Sequence, residues 1–327
     1  MLFGTVGGAK REGNMNETLK EQIKKIADGF DFTGELVSCR PCGSGHINGT
    51  YLLKYRIGNM GSIKVILQKI NGDIFKNPEE LMDNIAGVTE HLRCKIIENG
   101  GDPEREVLNL IPAKDGKKYL IDENGSYWRS YIFITDAVSY DLVEKPEDFY
   151  ESAVAFGRFQ EMLADYPAET LHETIRDFHD TKKRLQALKN AVKEDVCHRA
   201  SGVQEEINFA LEHEEIADVF GDLLRKGELN NVMIDLATGK GICVVDLDTV
   251  MPGLAMNDFG DAIRFGASTA LEDEKDLSKV SCNMELYEAY VKGFLESCGD
   301  KLTRKEIEFL PMGAKVMTYE CGIRFLT

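Results

Sequence analysis

Residues 229–248 read Leu229-Asn230-Asn231-Val232-Met233-Ile234-Asp235-Leu236-Ala237-Thr238-Gly239-Lys240-Gly241-Ile242-Cys243-Val244-Val245-Asp246-Leu247-Asp248. Two short apolar runs, residues 231–235 and 241–246, flank a turn at residues 237–240, which is the signature of a hairpin. Antiparallel pairing about a turn centred between Thr238 and Gly239 sets Asn231 opposite Asp246 at the open end. Asn230 and Asp248 lie just beyond. An amide oxygen and a carboxylate that converge suit a hard, oxygen-seeking cation such as Mg²⁺ bridging phosphates. Spacing alone would look the same for two polar residues that merely close a hairpin.

The residues upstream give that hairpin a context. Asn16 is a fitting N-cap for a helix over 16–29 that stops at Gly29. Strand patterns follow over 35–40, 50–56 and 62–69, the last two joined through Gly58-Asn59. Gly43-Ser44-Gly45 sits between the first two strands, as a phosphate-covering loop would, although turns use the same residues and no Walker Lys follows. Lys69 ends the third strand, where a lysine can reach phosphates. Pro78 opens a helix over 78–99, halted by Asn99-Gly100-Gly101. Two more strands, 117–122 and 126–135, flank the hairpin signal Asn124-Gly125. From about residue 140 the period becomes helical, over 146–165, 180–194, 202–226, 258–269, 283–297 and from Arg304 onward, interrupted only by the 231–246 hairpin. Glycine loop, strand lysine, helix, hinge, then Asn and Asp on a hairpin is the order of parts in a protein-kinase-like phosphotransferase.

The fold class expected is therefore α+β: a bilobal protein-kinase-like fold with a small antiparallel-sheet N-lobe and a larger, mainly helical C-lobe. Residues 1–15 are read as an N-terminal extension, 16–136 as the ATP-binding N-lobe and 137–327 as the catalytic and substrate-binding C-lobe. Adenine is expected against backbone groups of the hinge at 134–137, with Thr135 and Ala137 among the nucleotide-binding residues. His179 and Arg184 flank the start of the 180–194 helix, where Asp180 or Thr181 reads as its N-cap, and both are candidates for substrate contact. Glu90 on the 78–99 helix reads as a solvated face. Asp258 and Asp261 read as acidic residues at a helix start, with Asp261 also a brace for the catalytic region.

Composition agrees with a soluble catalyst. The 327 residues carry a net charge of −17, and 43% are hydrophobic, enough for a sizeable core. That acidity argues against nucleic acid, because phosphate backbones need clustered Lys and Arg. No apolar run approaches the roughly 20 residues that span a bilayer, and the first residues lack the pattern of a signal peptide, so the reading is cytoplasmic with no membrane partner. Of eight cysteines only Cys39 and Cys42 form a CxxC. With no second pair at zinc spacing, they read as reduced thiols.

Residues 229–235 together with Val244-Val245-Asp246-Leu247-Asp248-Thr249-Val250-Met251-Pro252-Gly253 resemble the N-acetylhexosamine 1-kinases of the aminoglycoside phosphotransferase superfamily. Supporting stretches are 43–51, Ile66-Leu67-Gln68-Lys69-Ile70-Asn71, 75–85, 257–266 and 320–327, so the resemblance runs over most of the chain from about residue 25. It implies transfer of the γ-phosphate of ATP to the anomeric C1 hydroxyl of GlcNAc or GalNAc, with ATP and Mg²⁺ as cofactors and a small sugar as partner. It carries Asn231 and Asp246 over as Mg²⁺ ligands and puts His46 and Arg324 near the sugar, with Asp248 grouped among the substrate-binding residues.

One departure stands out. The family has a His-Asn-Asp segment shortly before its Asn-Asn, whose Asp accepts the substrate proton. Here the residue five before Asn231, the kinase spacing, is Lys226, and no histidine is followed two residues later by Asp. By comparison with the family about ten residues are missing between Lys226 and Asn230, and the chain stops earlier than the family norm. Glu228 is the nearest acid, at the wrong offset for a base. The sequence therefore leaves three functions standing: a sugar 1-kinase, a nucleotide- and sugar-binding module without turnover, and a kinase of the same superfamily acting on another hydroxyl, such as that of an aminoglycoside, choline or homoserine.

Overall fold

The computed structural model describes residues 16–42, 47–59, 61–140, 143, 145–219, 232–271 and 274–327. The expected N-terminal extension, the glycine loop 43–45 with His46, and Glu228, Asn230 and Asn231 lie outside the described residues.

The chain opens with α1 (Glu17–Ala27), whose Asn16 side chain accepts a hydrogen bond from the Leu19 amide at 2.8 Å. Three antiparallel strands follow, β1 (Glu35–Pro41), β2 (Gly49–Arg56) and β3 (Ser62–Lys69). The long helix α2 (Pro78–Glu98) starts on its proline, as expected, and the short α3 (Pro103–Glu106) follows. The sheet is completed by β4 (Leu110–Ile111), β5 (Leu120–Ile121) and β6 (Tyr127–Ile132), in the order β1-β2-β3-β6-β4 with β5 also on β6. The two strands read at 117–122 and 126–135 are shorter than expected. The chain at 113–117 is a turn closed from the Ala113 amide to the Lys117 carbonyl. The Asn124-Gly125 turn is capped by Asp122, which accepts from the amides of Asn124 and Ser126.

The helical part comprises α4 (Pro146–Met162), α5 (Thr181–Glu194), α6 (Gln204–Glu212), α7 (Ala255–Gly266), α8 (Met284–Cys298) and α9 (Arg304–Leu326). Asp180 caps α5 through the Lys183 amide. The helix expected over 202–226 ends at Glu212 and gives way to a 3₁₀ turn at Glu214–Asp218. Glu212, Glu214 and Glu215 crowd negative charge at the negative end of the dipole, which disfavours continuation. α7 and α9 touch backbone to backbone: a Cβ on Gly260 would fall 2.3 Å from the Gly313 carbonyl carbon. Among the described residues no helix is long and apolar enough to cross a membrane.

Between the sheet and the helices lies a second, three-stranded sheet of β7 (Ala137–Val138), β8 (Val232–Asp235) and β9 (Gly241–Val244). The hairpin is present, but its register differs from the sequence expectation. Val232 pairs with Val244 and Met233 with Cys243, and an irregularity before Ile234 brings that residue opposite Gly241. The cause is Asp235. Its Oδ1 accepts from the amides of Ala237 (3.1 Å) and Thr238 (2.8 Å) and from the Thr238 hydroxyl (2.9 Å). This closes the turn one residue earlier than a Thr238-Gly239 centre. Asn231, expected to face Asp246 across the hairpin, lies outside the described residues.

Two cores organise these parts. One face of the six-stranded sheet, with Leu53, Val65, Leu67 and Trp128, packs on Ile23, Ala27 and Phe30 at α1. The larger core joins α2 to the helices, from Leu81, Ile85 and Val88 through Phe156, Phe259, Tyr290 and Phe294.

Candidate functional site

Side chains alternate across a strand, so pairing decides which residues look into the space between sheet and helices. Gly49, Lys69 and Trp128 are cross-strand neighbours, as are Tyr51, Leu67 and Ser130; these lie on the α1 face. Thr50, Gln68 and Arg129 form the alternate row, with Leu52, Ile66 and Tyr131 beside it. Lys69, expected at the phosphates because it ends β3, leaves the sheet on the α1 face, beside Trp128. It is exposed, with its ammonium 5.9 Å from the Trp128 ring centroid, and it lines a cavity of about 340 Å³ at the sheet's end with Ile47, Gly49, Asn71 and Tyr127.

The row that Lys69 misses is a buried polar chain. Gln68 Nε2 donates to Thr50 Oγ1 (2.9 Å), and Gln68 Oε1 accepts from Arg129 Nε (2.8 Å) and Nη2 (2.5 Å). Arg129 Nη1 forms an ion pair with Asp248 Oδ1, the two side chains being 3% and 7% exposed. Asp248 Oδ2 accepts from Asn48 Nδ2 at 2.5 Å, and Asn48 Oδ1 accepts from the Asn71 amide at 2.9 Å. Burial works against the Arg129 charge, and Asp248 together with Tyr131 and Asp246 outweighs it, holding the guanidinium protonated. Asp248, grouped from the sequence with the substrate-binding residues, has its carboxylate between Arg129 and Asn48.

Asp246 stands two residues before this clamp. It follows β9, is exposed, and has φ 61° and ψ 54°, a left-handed backbone that Asp tolerates better than most side chains. The 3₁₀ turn Leu247–Thr249 that follows is buried. Tyr131 senses the same charges: burial raises its hydroxyl well above the ordinary range against the pull of Arg129, with Asp246 and Asp248 adding to the rise.

The segment read as the hinge is tied to the hairpin. Asp136 has φ 56° and its carbonyl accepts from the Leu236 amide at 2.9 Å. Ala137 pairs with Asp235. The Thr135 carbonyl accepts from Arg105 Nη1 at 3.0 Å, and Arg105 Nη2 reaches Asp235 at 2.6 Å. Hinge and hairpin are thus one unit, which sequence reasoning did not foresee because β7 is only two residues long.

His179, Arg184 and Arg324, widely separated in sequence, converge on Phe178 and the buried Glu320. His179 Nδ1 lies 2.8 Å from Glu320 Oε1, Thr181 Oγ1 donates to Glu320 Oε2 (2.7 Å), and Arg184 Nε lies 3.5 Å from Oε1. The guanidinium carbons of Arg184 and Arg324 sit 5.3 and 5.6 Å from the Phe178 ring centroid. Asp261 borders this cluster: burial raises its pKa, but Arg264, hydrogen-bonded at 2.7 Å, outweighs that, and with His179 holds the carboxyl below the ordinary carboxylate range. Asp258 instead accepts from Gln160 at 2.6 Å and is buried. The 172–181 segment links the two clusters. Thr174 Oγ1 donates to the Asp248 carbonyl (3.1 Å), while Asn84 of α2, 1% exposed, bonds both His172 and Val250. Glu90 is exposed, as read.

A metal ion is implied by kinase-like folds, and the donor chemistry around Asp246 fits one completed by water and phosphate oxygens. Among the described residues there is no group of three or more His, Cys, Asp or Glu side chains that could enclose a cation. Mg²⁺ in phosphoryl-transfer sites needs only one or two protein carboxylates, the remaining ligands being water and phosphate oxygens, and exposed Asp246 is a carboxylate that would serve as one. Burial pushes the Cys39 thiol up to about 11, which disfavours its thiolate at neutral pH.

No family model matches the chain. Solved structures do. An amicoumacin kinase in complex with AMP-PNP, Ca²⁺ and its antibiotic superposes with a TM-score of 0.59 at 12% identity, covering 94% of this chain and 87% of that one. The GDP and kanamycin complex of APH(2")-IIia gives 0.57 at 10% identity over 93% and 90%. An aminoglycoside phosphotransferase from Alicyclobacillus acidocaldarius gives 0.51 at 9% identity over 98% and 97%. At such identities the likeness shows the fold alone. The chain has the protein-kinase-like fold, and these neighbours of it are small-molecule phosphotransferases.

Proposed function

We propose that the protein transfers the γ-phosphoryl group of ATP to a hydroxyl of a small molecule, and that the acceptor is the anomeric hydroxyl of an N-acetylhexosamine. The observation that carries the first half is the placement of exposed Asp246, in a left-handed backbone, at the end of a hairpin fused to the hinge and beneath the polar face of the N-lobe sheet. In this fold that is where a metal–nucleotide complex is held. Asp246, with Asn231, would hold the cation. Bound there, Mg²⁺ would neutralise phosphate charge as it moves to the leaving group. Residues 134–137 would take the adenine, and the glycine loop 43–45 would cover the phosphates.

The acceptor reading rests on the resemblance at 244–253 and on the cluster of His179, Arg184 and Arg324 about Phe178. A basic, aromatic-backed surface suits a neutral acetylated sugar better than a polycationic aminoglycoside. The net charge of −17 favours the aminoglycoside at long range, but the cluster nearest the expected acceptor site has the opposite character. Without a base at the family offset, Mg²⁺-linked charge neutralisation and positioning would carry the reaction alone. Loss of general-base help removes a factor of roughly 10²–10⁴ in rate. An anomeric hydroxyl is more acidic than an ordinary alcohol, which lessens that loss.

The test is ADP release and phosphate-ester formation with GlcNAc, GalNAc, kanamycin, choline and homoserine, each with Mg·ATP. Slow 1-phosphate formation on an N-acetylhexosamine alone supports the reading. Nucleotide and sugar binding with no ester on any acceptor identifies the binding module, and ester on kanamycin, choline or homoserine moves the substrate.

A further inference from the structure

We propose that Arg129 is the positioning residue of the nucleotide site: through its buried pair with Asp248 it fixes the Asp246–Leu247–Asp248 turn to the N-lobe sheet. It thus supplies from β6 the cation that strand parity denies to Lys69 on β3. The inference rests on the kinase reading above and deepens it.

A kinase-like site has to hold two bodies in register, the sheet that covers the phosphates and the turn that presents the metal ligand. In this chain the cross-strand row Thr50, Gln68, Arg129 faces that turn. Arg129 uses Nε and Nη2 on Gln68 and Nη1 on Asp248, so its fork is fixed by partners on both sides. Asp248 in turn accepts from Asn48, three residues beyond the glycine loop, and Asn48 is held by the Asn71 amide. One carboxylate therefore ties together the loop stem, the middle of the sheet and the turn. Asp246 is two residues away, in a backbone conformation that persists only when its surroundings enforce it. Leu247, 1% exposed, anchors the turn from the apolar side, and Asp248 anchors it from the polar side. With both neighbours fixed, the Asp246 carboxylate is aimed rather than free to swing.

A purely structural ion pair would lower stability and weaken all ligands alike. A positioning pair acts on the metal-dependent part of binding. The experiment is calorimetry of the full chain with ATP alone and with Mn·ATP and Mg·ATP, on the wild type and on Arg129→Met, Arg129→Lys, Asp248→Asn, Asn48→Ala and the double variant Arg129→Met/Asp248→Asn. The expected result is a fall of at least tenfold in Mg·ATP and Mn·ATP affinity in Arg129→Met, with metal-free ATP changed less than threefold. Arg129→Lys should recover part of the loss, since one ammonium cannot serve both Gln68 and Asp248. The double variant should be no worse than Arg129→Met. Asn48→Ala breaks the other arm without stranding a buried charge, so it reports even if Arg129→Met does not fold; it should show the same metal-selective loss, smaller in size. Equal losses with and without metal, or strict additivity in the double variant, overturn the proposal while leaving the kinase reading intact. Failure of the wild type to bind Mg·ATP at all overturns both.

Discussion

Replacing Asn84 tests how the long helix of the N-lobe is fastened to the segments that carry the site. Its side chain is 1% exposed, and its amide makes three hydrogen bonds of 2.8 Å: Nδ2 donates to the carbonyls of His172 and Val250, and Oδ1 accepts from the His172 amide. At about 1 kcal/mol net for each bond, Asn84→Ala should cost about 3 kcal/mol. The three backbone groups it orphans push the figure up, while water entering the space vacated by the amide pulls it down. Asn84→Asp is the sharper probe. It sets a carboxyl against two carbonyls, which favours the protonated form and raises its folded-state pKa. A raised pKa gives a penalty that is small well below pH 4 and grows as pH rises above it. Urea unfolding at pH 7 should therefore rank wild type above Asn84→Ala and Asn84→Ala above Asn84→Asp, with similar m-values, and the gap between the two variants should narrow on acidification. A cost below about 1 kcal/mol for Asn84→Ala, or variants that stay parallel at every pH, would refute the fastening described here, since neither fits three buried bonds.

Asp261→Asn should lose stability at neutral pH. Because the Asp261 carboxyl is held below the ordinary range beside Arg264, its contribution is complete above the unfolded-state value near 4 and is lost as pH falls through the folded-state value; thermal melts of wild type and variant should converge in acid. Gly260→Ala should disrupt the α7–α9 contact, because its methyl would fall on the Gly313 backbone. Overpacking of this kind costs about 1–3 kcal/mol, read as a lower melting temperature, whereas Gly322→Ala, with open space around its Cβ position, should melt within a degree or so of wild type.

The strand pattern and the capped and proline-started helices were legible because each has a local cause: Asn16, Pro78, Asp180 and the alternation along β2 and β3. What escaped depends on pairing across the chain. Lys69 and Gln68 are neighbours in sequence, and only the partners of β3 reveal that Gln68 faces the helices. A signal was present in Arg129, an arginine set between Trp128 and Ser130 in a strand otherwise destined for burial. The slip in hairpin register came from Asp235, whose side chain caps its own turn, a choice that composition does not announce. The convergence of His179, Arg184 and Arg324 was not legible, because it joins the start of α5 to the far end of α9.

The central claim is that a metal–nucleotide complex sits between sheet and helices with Asp246 as a protein ligand. The most direct measurement is a calorimetric titration of the folded chain with Mg·ATP beside Asp246→Asn, each repeated with EDTA. The account predicts saturable binding by the wild type that weakens markedly when Mg²⁺ is removed, and an Asp246→Asn protein whose affinity no longer depends on Mg²⁺. No heat from the folded wild type at millimolar Mg·ATP, or full Mg²⁺ dependence retained in Asp246→Asn, would contradict it.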